Sequence, residues 1–162
     1  MSAKTDTKTN VMRILDQYKV DYKRYSYINT NAISGIEVAQ VLNQNPAQVF
    51  KTLVTTSKSK KHYVFMIPVA EELDLKKAAS AVKEKSVEML HLKDLLPTTG
   101  YIHGGCSPIG MKKLFTTVID SSAQNFETLI FSAGKIGYQV ETSLENLKKV
   151  IPYSLADITT KS

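Results

Sequence analysis

Apolar residues recur along this chain at two different spacings, and each change of spacing marks a new element. Val11, Ile14, Leu15 and Tyr18 keep a helical spacing behind Thr9 and Asn10, both suited to capping, so a first helix is predicted to stop near Lys19. Positions 22–28 alternate instead, with aromatic or apolar side chains on one face, which predicts a strand. Ser34 stands three residues before Glu37, the spacing of a capping box, and Ile36, Val38, Ala39, Val41 and Leu42 carry an apolar face until residues 43–46 end it. Residues 49–56 and 62–69 are β-rich runs around the polar stretch 57–61, a hairpin pattern expected at the centre of a sheet. Asp74 is placed to cap a helix through Leu75, Ala78, Ala79 and Val82, and 87–90 reads as a short strand. A short helix over 92–96 is predicted to stop at Pro97, because proline lacks the N–H that a helix needs.

Residues 98–110 concentrate four of the seven glycines together with Pro108, so this backbone is predicted to be a loop. Strands are expected at 118–120, 128–132 and 138–141, and a last helix at 143–151. Helices and strands are interleaved, yet several strands are adjacent in sequence. That order predicts an α/β fold in which helices flank a mixed sheet. The length fits one domain over 11–158, and the polar residues 1–10 are expected to be a flexible terminus with no signal-peptide pattern. Apolar runs fall well short of the roughly 20 residues that cross a bilayer. Cys106 stands alone and cannot form an internal disulfide, which points to a reducing compartment, the cytoplasm by default.

The net charge of +6 comes largely from lysine, in the doublets Lys60-Lys61, Lys76-Lys77, Lys112-Lys113 and Lys148-Lys149. Such charge suits a phosphate backbone, whose counterions are released on binding, but a lysine doublet is also the ordinary composition of a solvated face. Lys51 is more pointed. Strand alternation places it on the face of Val49 and Leu53, where an ammonium either reaches an edge or enters a polar site. The glycine pair Gly104-Gly105 allows close approach of a ligand to backbone N–H groups, the arrangement an oxyanion hole requires. Ser132, Gly134 and Gly137 form a second turn of small residues after a strand. His103 and Cys106 suggest a nucleophilic pair, against which stands their closeness in one loop; a buried thiol is the commoner fate. His62, His91 and His103 lack metal-ligand spacing, so no metal is expected, and no Gly-x-Ser-x-Gly elbow is present.

Taken in order, Lys51-Thr52-Leu53, Pro68-Val69-Ala70, Leu73 through Lys77, Gly100-Tyr101, Gly104-Gly105-x-Ser107-Pro108-x-Gly110 and Ser132-Ala133-Gly134 resemble the YbaK/EbsC family. These proteins are relatives of the editing domain inserted in bacterial prolyl-tRNA synthetases, and the similarity spans nearly the whole chain. The resemblance implies a curved, partly closed mixed sheet flanked by helices. It also implies a deacylase that needs no cofactor and cleaves the ester between a wrong amino acid and tRNA, with cysteine on tRNA(Pro) as the expected substrate and a transient complex with prolyl-tRNA synthetase as the expected route of tRNA selection. In its cysteine-specific members the substrate's own thiol attacks the ester. Carried over, the roles fall on Lys51, Gly104 and Gly105 as catalytic groups, and on Tyr27, Thr52, Ser107, Pro108, Ser132 and Gly134 as substrate contacts, with Tyr25 competing for the place of Tyr27. Alanine or another small amino acid is the alternative substrate, and a non-catalytic tRNA-binding module is the alternative of another class. Two departures stand out: Cys106 replaces a commoner aliphatic residue, and Gln139 stands where many relatives have aspartate.

Overall fold

The computed structural model describes residues 7–160. Its elements follow the predicted order: α1 (Asn10–Gln17), β1 (Lys23–Ser26), α2 (Gly35–Val41), β2 (Phe50–Ser57), β3 (His62–Pro68), α3 (Leu75–Ala81), β4 (Val87–Met89), α4 (Leu92–Thr99), β5 (Thr116–Asp120), β6 (Leu129–Ser132), β7 (Tyr138–Thr142), α5 (Leu144–Lys148) and β8 (Ser154–Ala156). The caps read from sequence form as expected. Thr9 accepts from the Met12 N–H, Asp74 from Lys76 and Lys77, and Ser34 and Glu37 close a reciprocal capping box. Thr9 is buried and caps α1, so the polar terminus yields to packed structure before residue 10; positions 1–6 of that expectation lie outside the described residues.

Pro97 does not stop α4. The helix tolerates the missing N–H because its last turn is held otherwise: Thr99 Oγ1 donates to the Leu95 carbonyl at 2.8 Å and the Gly100 N–H to the Leu96 carbonyl at 2.8 Å. Gly100, at φ 90°, then ends the element in the left-handed conformation that glycine adopts without penalty. Strand β8 and the 3-10 turn at Ser121–Asn125 had no clear sequence pattern, and the last helix is shorter than expected.

Two sheets result. β4-β2-β3-β5-β8 is mixed: β2 pairs antiparallel with β3 and β4, while β3–β5 and β5–β8 are parallel. β1-β7-β6 is antiparallel. They meet where Ile130 of β6 bridges Val49 just before β2 and donates its N–H to the Gln48 carbonyl at 3.1 Å, so the surface is curved and partly closed. Alternation along β3 sends Met66 into a core with Met12, Leu15, Phe50, Ile119, Leu129, Phe131 and Leu147. Phe65 and Ile67 go to the other face, under Ala78 and Ala79 of α3 and against Val118 and Ile158. Each such fully buried side chain contributes about 1.5–3 kcal/mol, so the hairpin anchors both layers. No helix among the described residues is long and apolar enough to cross a membrane.

Candidate functional site

The junction of the two sheets leaves a gap along one edge of β2. On that edge β4 reaches only Thr55, Thr56 and Ser57, and β6 touches the strand only at its entrance. Two hydrogen bonds fix which backbone groups face this edge: Gln48 accepts from the Ile130 N–H, and Val54 from the Leu90 N–H at 3.0 Å. Val49 instead accepts from Val69 on the β3 side at 2.8 Å, and the β2–β3 register runs without interruption from Phe50↔Pro68 to Thr56↔His62. Because successive residues of a strand direct their backbone groups to opposite edges, Phe50 meets Ile130 of β6 through the parallel bridge and Thr52 directs its backbone groups into the gap.

A cavity of about 340 Å³ occupies this gap. Tyr27, Lys51, Thr52, Gly104 and Ser132 line it, which brings together five of the residues expected from sequence. Lys51 is half-buried, and desolvation pulls its pKa below the ordinary lysine value; the carboxylates of Glu72 and Glu71 act in the opposite sense. It sits in an inner strand and not at an edge of the sheet, so discouraging strand addition is not its task. Thr52 Oγ1 is buried without a hydrogen-bond partner among the described residues, an unsatisfied group that a ligand can satisfy. Ser132 accepts from the Gly134 N–H at 3.1 Å and keeps its own hydroxyl proton available.

The other expected residues are not brought to the cavity. The Gly105 N–H donates to the Ile102 carbonyl at 3.0 Å, so it is engaged in a turn and does not face an ester; the glycine itself is buried beneath the Ile136 backbone. Among the described residues no hydrogen bond uses the Gly104 N–H. Ser107 is fully buried and accepts from the Ile109 N–H, Pro108 lines a separate cavity beside Ile14 and Tyr18, and Gly134 packs against Val11 and Tyr101. All three support the loops and do not line the cavity. Of the two competing tyrosines only Tyr27 lines the cavity; the Tyr25 hydroxyl donates to the Glu141 carboxylate.

Sequence reasoning passed over other lining residues, among them Ile33, Leu95, Phe131 and Tyr138. Gln139, noted only as a departure, is buried in the wall and accepts from Gln44 Nε2 at 2.8 Å. Cys106 lines the cavity too, yet burial pushes its thiol up to about 12, so near neutral pH it is a protonated, poor nucleophile. His103 is exposed at the mouth. Among the described residues no group of three or more His, Cys, Asp or Glu side chains could hold a metal ion.

Fold and cavity define a class first: a curved α/β domain whose cavity lies where an inner strand is left partly unpaired. Residues 30–150 match the family model of the aminoacyl-tRNA editing domain. A protein of Enterococcus faecalis, provisionally named Cys-tRNA(Pro)/Cys-tRNA(Cys) deacylase EbsC, is 48% identical over 159 residues, covering 98% of this chain and 97% of its own. The chain belongs to the YbaK/EbsC family of aminoacyl-tRNA editing proteins. Two solved structures share the fold at low identity. One, described provisionally as a trans-editing enzyme for prolyl tRNA synthetase, has a TM-score of 0.79 at 18% identity and covers 94% of this chain and 99% of its own. The other, the hypothetical protein APE2540, has a TM-score of 0.83 at 17% identity and covers 92% and 98%.

Proposed function

We propose that this protein is a trans-editing deacylase that removes cysteine from mischarged tRNA(Pro). One observation carries the reading: the cavity gathers an ammonium, a backbone amide and two hydroxyls from Lys51, Gly104, Thr52 and Ser132, while the one thiol of the protein, on Cys106, is held protonated. Such a site positions and stabilises, and the substrate supplies the nucleophile. The cysteinyl thiol loses its proton to solvent and the thiolate attacks its own ester carbonyl carbon. The tetrahedral oxyanion that forms is stabilised by Lys51 and by the Gly104 N–H; the carbon–oxygen bond to the ribose then breaks. The departing ribose oxygen takes a proton from water, and free tRNA and a four-membered thiolactone result, the latter hydrolysing to cysteine. Holding thiol and carbonyl in an attacking geometry supplies the rate, because the reaction is intramolecular and loses no translational freedom. Tyr27 and Ser132 orient the aminoacyl group at the mouth and wall.

The test is deacylation of cysteinyl-, alanyl- and seryl-tRNA(Pro), with and without prolyl-tRNA synthetase, products being identified by mass. Cysteinyl-tRNA(Pro) should be cleared fastest. The synthetase, in a transient complex that selects this tRNA, should raise the rate. Alanyl-tRNA cleared equally fast would replace thiol attack with hydrolysis of small aminoacyl esters, and inactivity on all three would leave a tRNA-binding module without catalysis.

A further inference from the structure

The unpaired edge of β2 is itself chemically equipped. With Gln48 and Phe50 bonded to Ile130 of β6 through the parallel bridge at Val49, and Val54 bonded to the β4 side, the outward residue between them, Thr52, presents its N–H and C=O to the cavity and is not covered by a strand. A recessed edge of one residue is too short for strand addition by another chain, but it matches one amino-acid residue. In an antiparallel pair, a residue opposite another exchanges two hydrogen bonds with it, N–H to carbonyl in each direction.

We propose that the aminoacyl group docks opposite Thr52 as a single added β-residue: the substrate's α-ammonium donates to the Thr52 carbonyl, and the Thr52 N–H donates to the ester carbonyl oxygen. This rests on the deacylase reading and deepens it. The Thr52 N–H becomes the second donor to the developing oxyanion, the place that the Gly105 N–H does not fill because Ile102 accepts it. Peptide-binding domains recognise extended ligands by the same main-chain pairing, with side-chain pockets adding specificity. Here the pairing reads the groups common to all amino acids. Discrimination among them is then left to the side chains of the wall, including Thr52 Oγ1, Cys106 and the Gln139 amide. An edge of this kind also explains why a strand in the middle of a sheet can serve as a binding surface: the flanking strands β4 and β6 hold it rigid on both sides of the gap.

The experiment is amide hydrogen exchange by NMR on the whole chain, free and saturated with 3′-deoxy-3′-(L-cysteinylamino)adenosine, in which a stable amide replaces the ester. In the free protein the Lys51 and Leu53 amides, bonded to β3, should exchange at least about tenfold more slowly than Thr52; the analogue should slow Thr52 by about tenfold, the size of one hydrogen bond. The 3-mercaptopropionyl analogue, which lacks the α-ammonium, should bind about tenfold more weakly. Shifts at Lys51 and Ser132 without protection of Thr52 would overturn the edge docking and leave the deacylase reading standing. No shift anywhere in the cavity would remove both. Replacing Thr52 by its α-hydroxy analogue, which removes the N–H and weakens the Lys51 carbonyl as an acceptor toward β3, should lower kcat about 100-fold with little change in KM; a loss confined to KM would reduce the amide to a ground-state contact and sink its catalytic part.

Discussion

Gly104 and Gly110 belong to one loop, are both exposed and share a positive φ, of 90° and 80°, but the room beside them differs. A β-carbon on Gly104 would touch only the side chain of Ile136, at 3.6 Å, and the residue is exposed at the cavity. One on Gly110 would lie 2.8 Å from the Tyr101 hydroxyl and 3.1 Å from Ile14. Between them the loop turns from the cavity to the core: His103, Gly104 and Cys106 line the site, while Ser107, Pro108 and Ile109 are buried behind it. Glycine near an open cavity keeps space for a ligand, and glycine crowded by neighbouring side chains keeps space for the protein. The same letter in sequence carries both meanings.

Mutations on the two sides should therefore fail in different ways. The largest effect belongs to the cavity side, where Lys51→Ala should lower turnover about 100-fold, the size of a lost group that stabilises transition-state charge. Its melting temperature should not fall, since a desolvated ammonium has been removed from a half-buried place. Undiminished deacylation of cysteinyl-tRNA by that variant would take Lys51 out of the mechanism. On the crowded side, Gly110→Ala should cost about 2–4 kcal/mol in denaturant unfolding, from the left-handed backbone and the displaced Tyr101 together. Gly104→Ala should cost about 1 kcal/mol of stability, mostly from its φ, yet lower turnover about tenfold. If both alanines proved equally destabilising and equally active, the division of the loop would be wrong.

How much of this was legible beforehand follows the same division. The caps at Thr9, Ser34 and Asp74 and the β2–β3 hairpin were readable because their signals are local, set by a few adjacent residues. Lys51 was readable because an ammonium in an apolar strand contradicts its neighbours. The open edge of β2 was not, since it depends on where β4 and β6 stop, two strands distant in sequence. Nor could sequence tell that Gly105 gives its N–H to Ile102, or that Ser107, Pro108 and Gly134 turn away from the cavity. In a glycine-rich loop the direction of each amide is set by turn geometry, which composition does not encode.

The two protonation states at the site sharpen the comparison through pH. Lys51 has a folded-state pKa below its unfolded value, with burial as the leading cause. Between the two values the unfolded chain binds the extra proton, so stability contributed by this residue rises with pH there, while turnover falls as the ammonium is lost. A Lys51→Met variant should lose both trends, and the difference between the two proteins in denaturant midpoint and in kcat/KM against pH reads them directly. A wild-type rate that climbs unchecked through the alkaline range would show that the charge on Lys51 is not used.

The smallest effect is expected at Cys106, which lies where the two sides of the loop meet. Its sulfur touches the cavity, yet Val54 and Val64 pack around it and its thiol stays protonated to about 12. If the substrate brings the nucleophile, Cys106→Ala removes packing alone: about 1 kcal/mol of stability, as for the loss of a small buried group, and less than about a threefold change in turnover. For the same reason iodoacetamide near neutral pH should label the folded protein much more slowly than free cysteine, since the thiolate is the reacting form. Loss of about 100-fold in turnover on this substitution, with rapid labelling of the wild type, would make Cys106 a nucleophile and move the chemistry from the substrate to the protein.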